Sequence, residues 1–306
     1  MKLQEFYSQK LEYGLEAIAA DKELAAHIQE ILIWHKLLAP PADGMFGPIS
    51  ASALREFQEL MKCDESGFLG PDTAKKLIET HPDVTSALLE KELNLSNDLA
   101  SRIIKYMLAK GYYVDRKIGE YNIIYIEGMN PNGTLNSDKP NSFNDLRLVI
   151  QIVDKTPKIT DIWEATTEPG NHYTDNPMNP KGAARIKFGQ YKAWRVGTHG
   201  TDKPEPHEGL VQVGNVTVHR DLNEDMIRTG DKLDTGIFGI NQHYGYDYPR
   251  NDIKLAGAGC LVGRTRKGHR DFMRLIKQDW RYQSNRNYRF MSTIIAGDDL
   301  LKQFSA

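Results

Sequence analysis

The chain has 306 residues, of which 40% are hydrophobic and 26% charged, so it holds ample apolar material for a folded core. Its formal net charge of −2 lacks the basic excess typical of nucleic-acid binding. No segment approaches the roughly 18 apolar residues that a membrane span needs, and the length predicts about two domains.

The N-terminal third is predicted to be helical, because its apolar residues recur at helical spacing. Its predicted elements are, in chain order, a helix from Leu3 to about Leu38 that breaks near Asp21, a helix over Ser50–Met61, a helix over Pro71–Glu79 and a helical connector over residues 83–111. We therefore expect a compact helical domain over residues 1–82, followed by the connector.

Two turns of this helical part follow one pattern. The segment Asp43-Gly44-Met45-Phe46-Gly47-Pro48-Ile49-Ser50 enters a helix that contains Phe57-Gln58, and Gly67–Ala74 repeats the turn and the helix start. This order resembles the three-helix peptidoglycan-binding domain of many wall hydrolases, over roughly residues 22–82. The resemblance implies that peptidoglycan is a partner, bound by Asp43, Gly44, Phe46, Phe57 and Gln58. The alternative is a generic three-helix module whose glycines cap helices.

From Gly111 onward the sequence changes to short β-branched and aromatic runs separated by Gly, Asn, Asp and Pro. The predicted strands are residues 121–126, 146–153, 158–163, 184–188, 192–196, 209–213, 216–219, 236–241 and 289–296, with an amphipathic helix over Gly268–Trp280. Such closely spaced strands predict a mostly-β domain over residues 112–306, a sandwich or barrel, and hence an α+β chain.

Cys260 is the candidate nucleophile. It follows Gly257-Ala258-Gly259 and lies 17 positions after His243, which could act as its base. Gly259 allows a backbone angle that turns a free N–H toward a developing oxyanion. We expect adjacent antiparallel strands to bring His243 and Cys260 together. A buried structural cysteine beside an unrelated histidine is the alternative.

The segment Asn215–Arg264 resembles the catalytic domain of L,D-transpeptidases, in which a histidine on one strand precedes a Ser/Thr-His-Gly-Cys segment. The resemblance implies that Cys260 is the nucleophile, that His243 is the base and that the N–H groups of Gly259 and Cys260 bind the oxyanion. Arg264, four residues past the nucleophile, is the substrate contact that the resemblance suggests. Tyr244, in the polar loop beside His243, and Asn241 are further candidate substrate contacts.

The segment departs from this family at two positions. Gly257 and Ala258 replace the Ser/Thr and the second histidine, so the group that orients His243 must lie elsewhere, for example a backbone carbonyl. We also expect Arg264, Arg266 and a protonated His243 to lower the pKa of Cys260 if they lie close to it.

These observations predict a cell-wall enzyme that cleaves peptidoglycan stem peptides through a Cys260 acyl-enzyme, without a cofactor or metal. Met1–Leu24 lacks the apolar centre of a signal peptide. That favours a phage lysin or an effector of a secretion apparatus, made in the cytoplasm and acting at the wall, over an L,D-transpeptidase that cross-links peptidoglycan.

Two alternative functions remain open. A decayed active site would make the chain a non-catalytic wall-binding or structural protein. A metallopeptidase could use His199, His207 and His219, but the chain has no His-Glu-x-x-His spacing, and we expect these histidines on the solvated surface.

Overall fold

The computed structural model describes residues 1–39, 41–80, 93–201 and 204–305. It divides into two compact units, one formed by residues 1–92 and 108–113 and the other by residues 93–107 and 114–306. Part of the expected connector, residues 83–92, lies outside the described residues. Within the described ranges, no helix is both long and apolar enough to cross a membrane.

The first unit is helical. Its helices are Leu3–Ser8, Leu15–Ala20, Lys22–Trp34, Pro48–Met61 and Pro71–Glu79, and one short antiparallel pair joins strand β1 (Tyr13–Gly14) to strand β2 (Phe68–Leu69). The apolar faces of these helices enclose one core, which includes Ile28, Leu54 and Phe57. The predicted helical module is therefore confirmed.

The helix expected from Leu3 to Leu38 breaks near Asp21 as predicted, but it has a second interruption that was not foreseen, so the chain forms three helices there. Lys10 has a φ of +50°, which no α-helix allows, so the first helix cannot continue. The last helix starts anew at Asp21, whose carboxylate accepts a hydrogen bond from the Leu24 N–H at 3.1 Å.

Two buried glutamines hold the two turns in the same way. The Gln29 amide donates to Asp43 and to the Met45 carbonyl, and it accepts from the Gly44 N–H. The Gln58 amide donates to the Phe68 carbonyl and accepts from the Gly67 N–H. The repeated turn seen in the sequence is thus a repeated hydrogen-bonding device, in which each helix secures the turn that follows it.

The second unit is mostly β. Its strands are β3 (Asn122–Glu127), β4 (Asp145–Val153), β5 (Thr156–Thr166), β6 (Ala183–Ile186), β7 (Gly189–His199), β8 (His207–Gln212), β9 (Val216–Asp221), β10 (Lys232–Gly236), β11 (Gln242–Tyr244), β12 (Leu261–Gly263) and β13 (Phe290–Ala296). Its helices are Asn171–Asp175, Arg266–Ile276, Trp280–Ser284 and Gly297–Gln303, and the connector helix is Leu99–Ala109.

Eight of the described strands form a closed barrel in the order β11-β12-β5-β4-β3-β13-β7-β8, and β10-β9-β6 form a separate three-stranded sheet. Side chains alternate across each strand, so one face of the barrel strands supplies the core, with Tyr125, Val149, Trp194 and Leu261. The predicted α+β fold with a mostly-β second domain is confirmed.

The strand predicted over residues 236–241 is wrong. The Gln212 side chain accepts hydrogen bonds from the N–H groups of Phe238 and Ile240, at 3.0 and 2.8 Å. A side chain therefore takes the place of a neighbouring strand, and the chain runs as a loop between β10 and β11. The predicted helix over 268–280 begins and ends earlier, at Arg266 and Ile276.

Candidate active site

The candidate site forms where β11 and β12 lie side by side. These strands run parallel, with His243 opposite Val262, so the antiparallel arrangement expected from the sequence is wrong. The Leu261 N–H donates to the Asn241 carbonyl at 2.9 Å, which is a bond of the Gln242–Leu261 pair. His243 therefore lies within β11, and Cys260 directly precedes the neighbouring strand β12.

Gly259 has a backbone conformation that only glycine adopts easily. Its φ is +110°, and a Cβ at this position would lie 2.3 Å from the Ala184 carbonyl oxygen. Within the described parts of the chain, the N–H groups of Gly259 and Cys260 donate to no acceptor. Two backbone donors beside the thiol are the elements of an oxyanion site.

The Cys260 thiol is protonated and contacts a backbone carbonyl. Its Sγ lies 3.6 Å from the Gly239 carbonyl, to which it donates. Burial raises the pKa of Cys260 to about 11, against a smaller lowering by the Asn241 backbone. The lowered pKa that we expected from nearby cations is therefore wrong.

The two arginines have other partners. Arg264 pairs with Glu164 at 2.5 Å, and Arg266 pairs with Glu205 and Asp247, each at 2.8 Å. Their positive charges are thus neutralised by carboxylates and do not stabilise a thiolate at Cys260.

His243 is buried and held in one tautomer. Its Nδ1 lies 2.9 Å from the Tyr244 carbonyl. A carbonyl only accepts hydrogen bonds, so Nδ1 carries the proton and Nε2 presents its lone pair. Burial, followed by the neighbouring His199, lowers the pKa of His243 well below its ordinary value. The side chain is therefore a neutral imidazole with a basic nitrogen at neutral pH.

His199 stacks on His243, with ring centroids 3.7 Å apart and planes inclined by 8°. It lies on β7, two strands away from β11, and Gly209 stands between them on β8. Because Gly209 has no side chain, the His199 ring can cross β8 and reach His243. The expectation that His199 lies on the solvated surface is wrong.

Asn241 fixes the protonation of His199. Its Oδ1 accepts from the Gln212 N–H at 2.9 Å, so its other terminal atom is the NH₂ group, 3.1 Å from His199 Nδ1. His199 Nδ1 must then be an acceptor. Asn241 thus contacts His199, and its expected role as a substrate contact remains a prediction.

The other expected substrate contacts are occupied. Tyr244 is only 3% exposed, stacks on His207 at 3.5 Å and donates its hydroxyl to Glu205 at 2.7 Å. Tyr244 also lines a cavity with His207 and His269, and a substrate contact by its ring stays a prediction. Arg264 is partly exposed and lines a small cavity with Glu164. His207 is also partly buried rather than solvated.

A buried ion-pair cluster lies beneath the cysteine loop and was not foreseen. The Gly170 N–H donates to the Gly257 carbonyl at 2.9 Å, and the nearby Glu168 carboxylate contacts Arg185, which follows Ala184. Burial raises the pKa of Glu168 to about 7. Only the tertiary fold brings Glu168 and Arg185 to the loop, so the sequence carries no local signal for them. Among the described residues, no group of three or more His, Cys, Asp or Glu side chains is arranged to hold a metal ion.

In the helical unit, most of the expected ligand contacts are scaffold. Phe46, Phe57 and Gln58 are buried, at 7%, 0% and 2% exposure, and Gly44 is buried too. These side chains hold the turns and the core, and the peptidoglycan contacts expected of them stay predictions. Asp43 is exposed at the surface of the first turn, and its role in binding stays a prediction.

Comparison with known proteins gives one family match. The sequence model of the peptidoglycan binding domain family matches residues 22–77, so the resemblance predicted for the helical unit is confirmed. A search of curated proteins gives no match.

Two solved structures are similar at 15% sequence identity. One is a fused Zn-dependent amidase/peptidase/peptidoglycan-binding domain-containing protein from Clostridium acetobutylicum, with a TM-score of 0.25 over 93% of this chain and 99% of that one. The other is an L,D-transpeptidase (residues 123–326) from Xylanimonas cellulosilytica, with a TM-score of 0.24 over 88% of this chain and 92% of that one. At TM-scores this low, neither likeness bears on the activity of this chain.

Proposed function

We propose that this protein acts on bacterial peptidoglycan, with residues 22–77 binding the wall and Cys260 attacking a stem peptide with His243 as general base. The family match of the helical unit supports the choice of substrate. A tether to the wall raises the local concentration of substrate around the second unit, which gives the pairing of the two units a purpose.

One observation supports the catalytic part of the proposal: β11, which contains His243, lies beside β12, which Cys260 directly precedes, and the N–H groups of Gly259 and Cys260 have no acceptor among the described residues. Gly259 belongs to this set, since its φ of +110° is a backbone conformation that only glycine adopts easily. A nucleophile, a base and oxyanion donors are the parts that acyl transfer needs.

The reaction would begin from a neutral thiol. Sγ leaves the Gly239 carbonyl, gives its proton to Nε2 of His243 and bonds to the carbonyl carbon of the stem peptide. The oxyanion accepts from the Gly259 and Cys260 N–H groups until the C–N bond breaks, and Nε2 returns the proton to the leaving amine. Water then releases the thioester in a peptidase, whereas an amine releases it in an L,D-transpeptidase. We favour the peptidase.

The test is mass spectrometry of purified muropeptides incubated with the wild type, Cys260→Ala and His243→Ala. We expect the wild type to release a stem-peptide fragment, and both variants to lose this activity by at least about 10³-fold while still binding sacculi. The mass of the product distinguishes hydrolysis from exchange. Product formation by Cys260→Ala at the wild-type rate would refute the cysteine mechanism.

A second candidate function is a non-catalytic wall-binding protein. The observation that favours it is the thiol itself, whose raised pKa of about 11 leaves almost no thiolate at neutral pH. This candidate predicts that wild type and Cys260→Ala bind sacculi equally and that neither changes any muropeptide.

A further inference from the structure

Two backbone segments lie against the cysteine loop, which we define as Gly257–Cys260. The segment that follows β5 approaches one end, since a Cβ on Gly257 would lie 3.3 Å from the Glu168 carbonyl oxygen. Strand β6 approaches the other end, where a Cβ on Gly259 would lie 2.3 Å from the Ala184 carbonyl oxygen. The conformation of the loop therefore depends on how these two segments are held relative to each other.

A buried ion pair joins the two segments close to both contacts. The Glu168 carboxylate accepts a hydrogen bond from Nη1 of Arg185, and Arg185 directly follows Ala184 in β6. Both side chains are buried, Arg185 fully so. Charge-assisted hydrogen bonds are among the stronger ones in proteins, and removing one buried partner leaves the charge of the other uncompensated. The pair therefore links the two sides of the cysteine loop.

Each partner is also anchored within its own sheet. Arg185 Nε lies 3.6 Å from the carboxylate of Asp221 on β9, the strand that pairs with β6. The Glu168 N–H donates to the Thr166 hydroxyl at 3.3 Å, and Thr166 on β5 lies opposite Val262 on β12. The ion pair thus connects the three-stranded sheet to the barrel beside β12, the strand that the cysteine loop enters.

Glu168 is the member of the pair that changes charge near neutral pH. Burial, followed by repulsion from Glu127, raises the pKa of Glu168 to about 7. A second arginine, Arg228, lies 3.8 Å from Glu168 but makes a two-point contact with Glu127. The charged groups that face Glu168 come from β3, β4, β6 and two loops: Glu127, Asp145, Arg185, Asp138 and Arg228. The ion pair therefore carries its full charge only above about pH 7.

We propose that Glu168 and Arg185 are positioning residues, whose ion pair holds the backbone of the cysteine loop, with the N–H groups of Gly259 and Cys260, in one conformation. They act through the loop and need no contact with substrate. Their effect on the loop is independent of any activity, whereas their effect on catalysis rests on the function proposed above.

The first test is NMR of the full chain labelled with ¹⁵N at cysteine only. The sequence has two cysteines, so the spectrum contains one amide resonance from Cys260 and one from Cys63, which lies in the helical unit. Cys260→Ala identifies the two resonances. We expect the Cys260 amide to shift with a midpoint at about pH 7. Glu168→Gln, which removes the charge and keeps the shape of the side chain, should abolish this transition.

Asp115→Asn is the matched control. Asp115 is a buried carboxylate of the same unit, its pKa is raised to about 6 by burial, and its described side-chain partner is Arg281. The variant removes a buried ion pair that has no described contact with the cysteine loop, so the Cys260 transition should persist in it.

The mobility of the Cys260 amide gives a second readout. Arg185→Lys keeps a positive charge but loses the planar group that reaches both Glu168 and Asp221, and Glu168→Gln leaves Arg185 without its charged partner. From ¹⁵N relaxation, we expect a rigid order parameter of about 0.85 for Cys260 in the wild type and a lower value in both variants. The Cys63 amide should be unaffected.

Enzyme kinetics test the consequence for catalysis once the wild type has been shown to cleave muropeptides. Glu168→Gln should lower kcat at least about tenfold and change KM by less than about twofold, because oxyanion donors act in the transition state. Asp115→Asn should change neither constant. An ion pair that only supports the fold would lower Tm when broken, but would leave kcat of the folded enzyme unchanged.

Three results would each overturn the proposal: a Cys260 resonance with the same pH response in the wild type and Glu168→Gln, an unchanged order parameter in both Glu168→Gln and Arg185→Lys, or an unchanged kcat in folded Glu168→Gln. If Glu168→Gln does not fold, Arg185→Lys still decides the second measurement. A wild type without activity on muropeptides refutes the proposed function alone, because neither NMR measurement involves a substrate.

Discussion

At the scale of single residues, burial decides the chemistry of the candidate site. Desolvation disfavours charge, so the Cys260 thiol stays protonated and the His243 imidazole stays neutral. A thiol and a neutral base suit proton transfer during the attack, as in serine hydrolases, better than a preformed thiolate–imidazolium pair.

Cys260 should therefore react slowly with iodoacetamide at pH 7, because only its small thiolate fraction attacks this reagent. With a pKa of about 11, the rate should rise about tenfold per pH unit from pH 7 to pH 10. Mass spectrometry of the alkylated peptides separates Cys260 from Cys63, and Cys260→Ala is the control. Fast alkylation of Cys260 at pH 7 that levels off near pH 8 would show a thiolate already formed.

His199 should position His243 and hold its pKa down. His199, His269 and His207 all lower the pKa of His243 through their charges, and the stacked His199 acts most strongly after burial. His199→Ala should move the acid limb of the pH–rate profile to higher pH and slow muropeptide cleavage about tenfold, whereas His199→Phe keeps the stacked ring and should lose less. An acid limb that stays in place in both variants would contradict this role.

At the scale of elements, short segments with fixed backbone angles shape the sites. The loop before β12 closes against β6 through Gly259, and the two turns of the helical unit close against Gln29 and Gln58. The loop requires glycine, because only glycine fits the backbone at position 259. The turns require an amide side chain, because an amide both donates and accepts hydrogen bonds.

Gly259→Ala should destabilise the second unit by about 3 kcal/mol or more, through left-handed strain together with the clash against Ala184. Gly239→Ala is the matched control, since Gly239 has a φ of +75° and nothing within 4 Å of an added Cβ. It should cost only about 1–2 kcal/mol. Urea unfolding followed by tryptophan fluorescence measures both, and equal losses would mean that the contact with Ala184 is unimportant.

Gln29→Ala and Gln58→Ala should each destabilise the helical unit by about 2–4 kcal/mol, because each leaves buried backbone groups of a turn without partners. Gln4→Ala, at an exposed helical position, should change stability by less than about 0.5 kcal/mol. Calorimetric melting of the three variants measures these changes in stability. If Gln58→Ala changes stability as little as Gln4→Ala does, the hydrogen bonds from Gln58 to its turn do not stabilise the helical unit.

At the scale of the whole molecule, each unit has its own core, one helical and one built on the closed barrel. The chain carries nearly equal numbers of acidic and basic side chains, with a net charge of −2. Most of the buried ionisable groups, including His243, His269 and Glu168, lie in the second unit. Its stability should therefore depend on pH more than that of the helical unit.

The histidines should make this unit sensitive to acid. Burial lowers the pKa of His243 and His269 well below the ordinary value of 6.5, so the unfolded chain binds more protons below that pH. The contribution of the two neutral histidines to the free energy of unfolding is fully present above pH 6.5 and is lost as the pH falls toward their pKa in the folded protein. Glu168 has a raised pKa of about 7, so its effect on the free energy of unfolding has the opposite dependence on pH.

Comparison with a variant isolates the histidine effect. Between pH 7 and pH 5, His269→Gln should lose less unfolding free energy than the wild type, by up to about 2 kcal/mol. Denaturant unfolding at the two pH values measures the difference. The same loss in both proteins would mean that His269 has an ordinary pKa.

By itself, the sequence determined the helical unit with its repeated turn and the mostly-β second unit. Local patterns carry these features: apolar spacing specifies helices and strands, and glycines mark the turns. The sequence was wrong where a longer-range contact decides, as at Lys10, at Phe238–Ile240 and in the direction of β11 relative to β12.

Only the tertiary structure placed His199 on His243, raised the pKa of Cys260 and joined Glu168 to Arg185. These properties depend on which distant segments surround a residue, because burial and neighbouring charge set a pKa and packing sets the position of a ring. A residue's type and its spacing along the chain define which chemistry it can perform. The fold decides whether its surroundings leave it charged, paired or reactive.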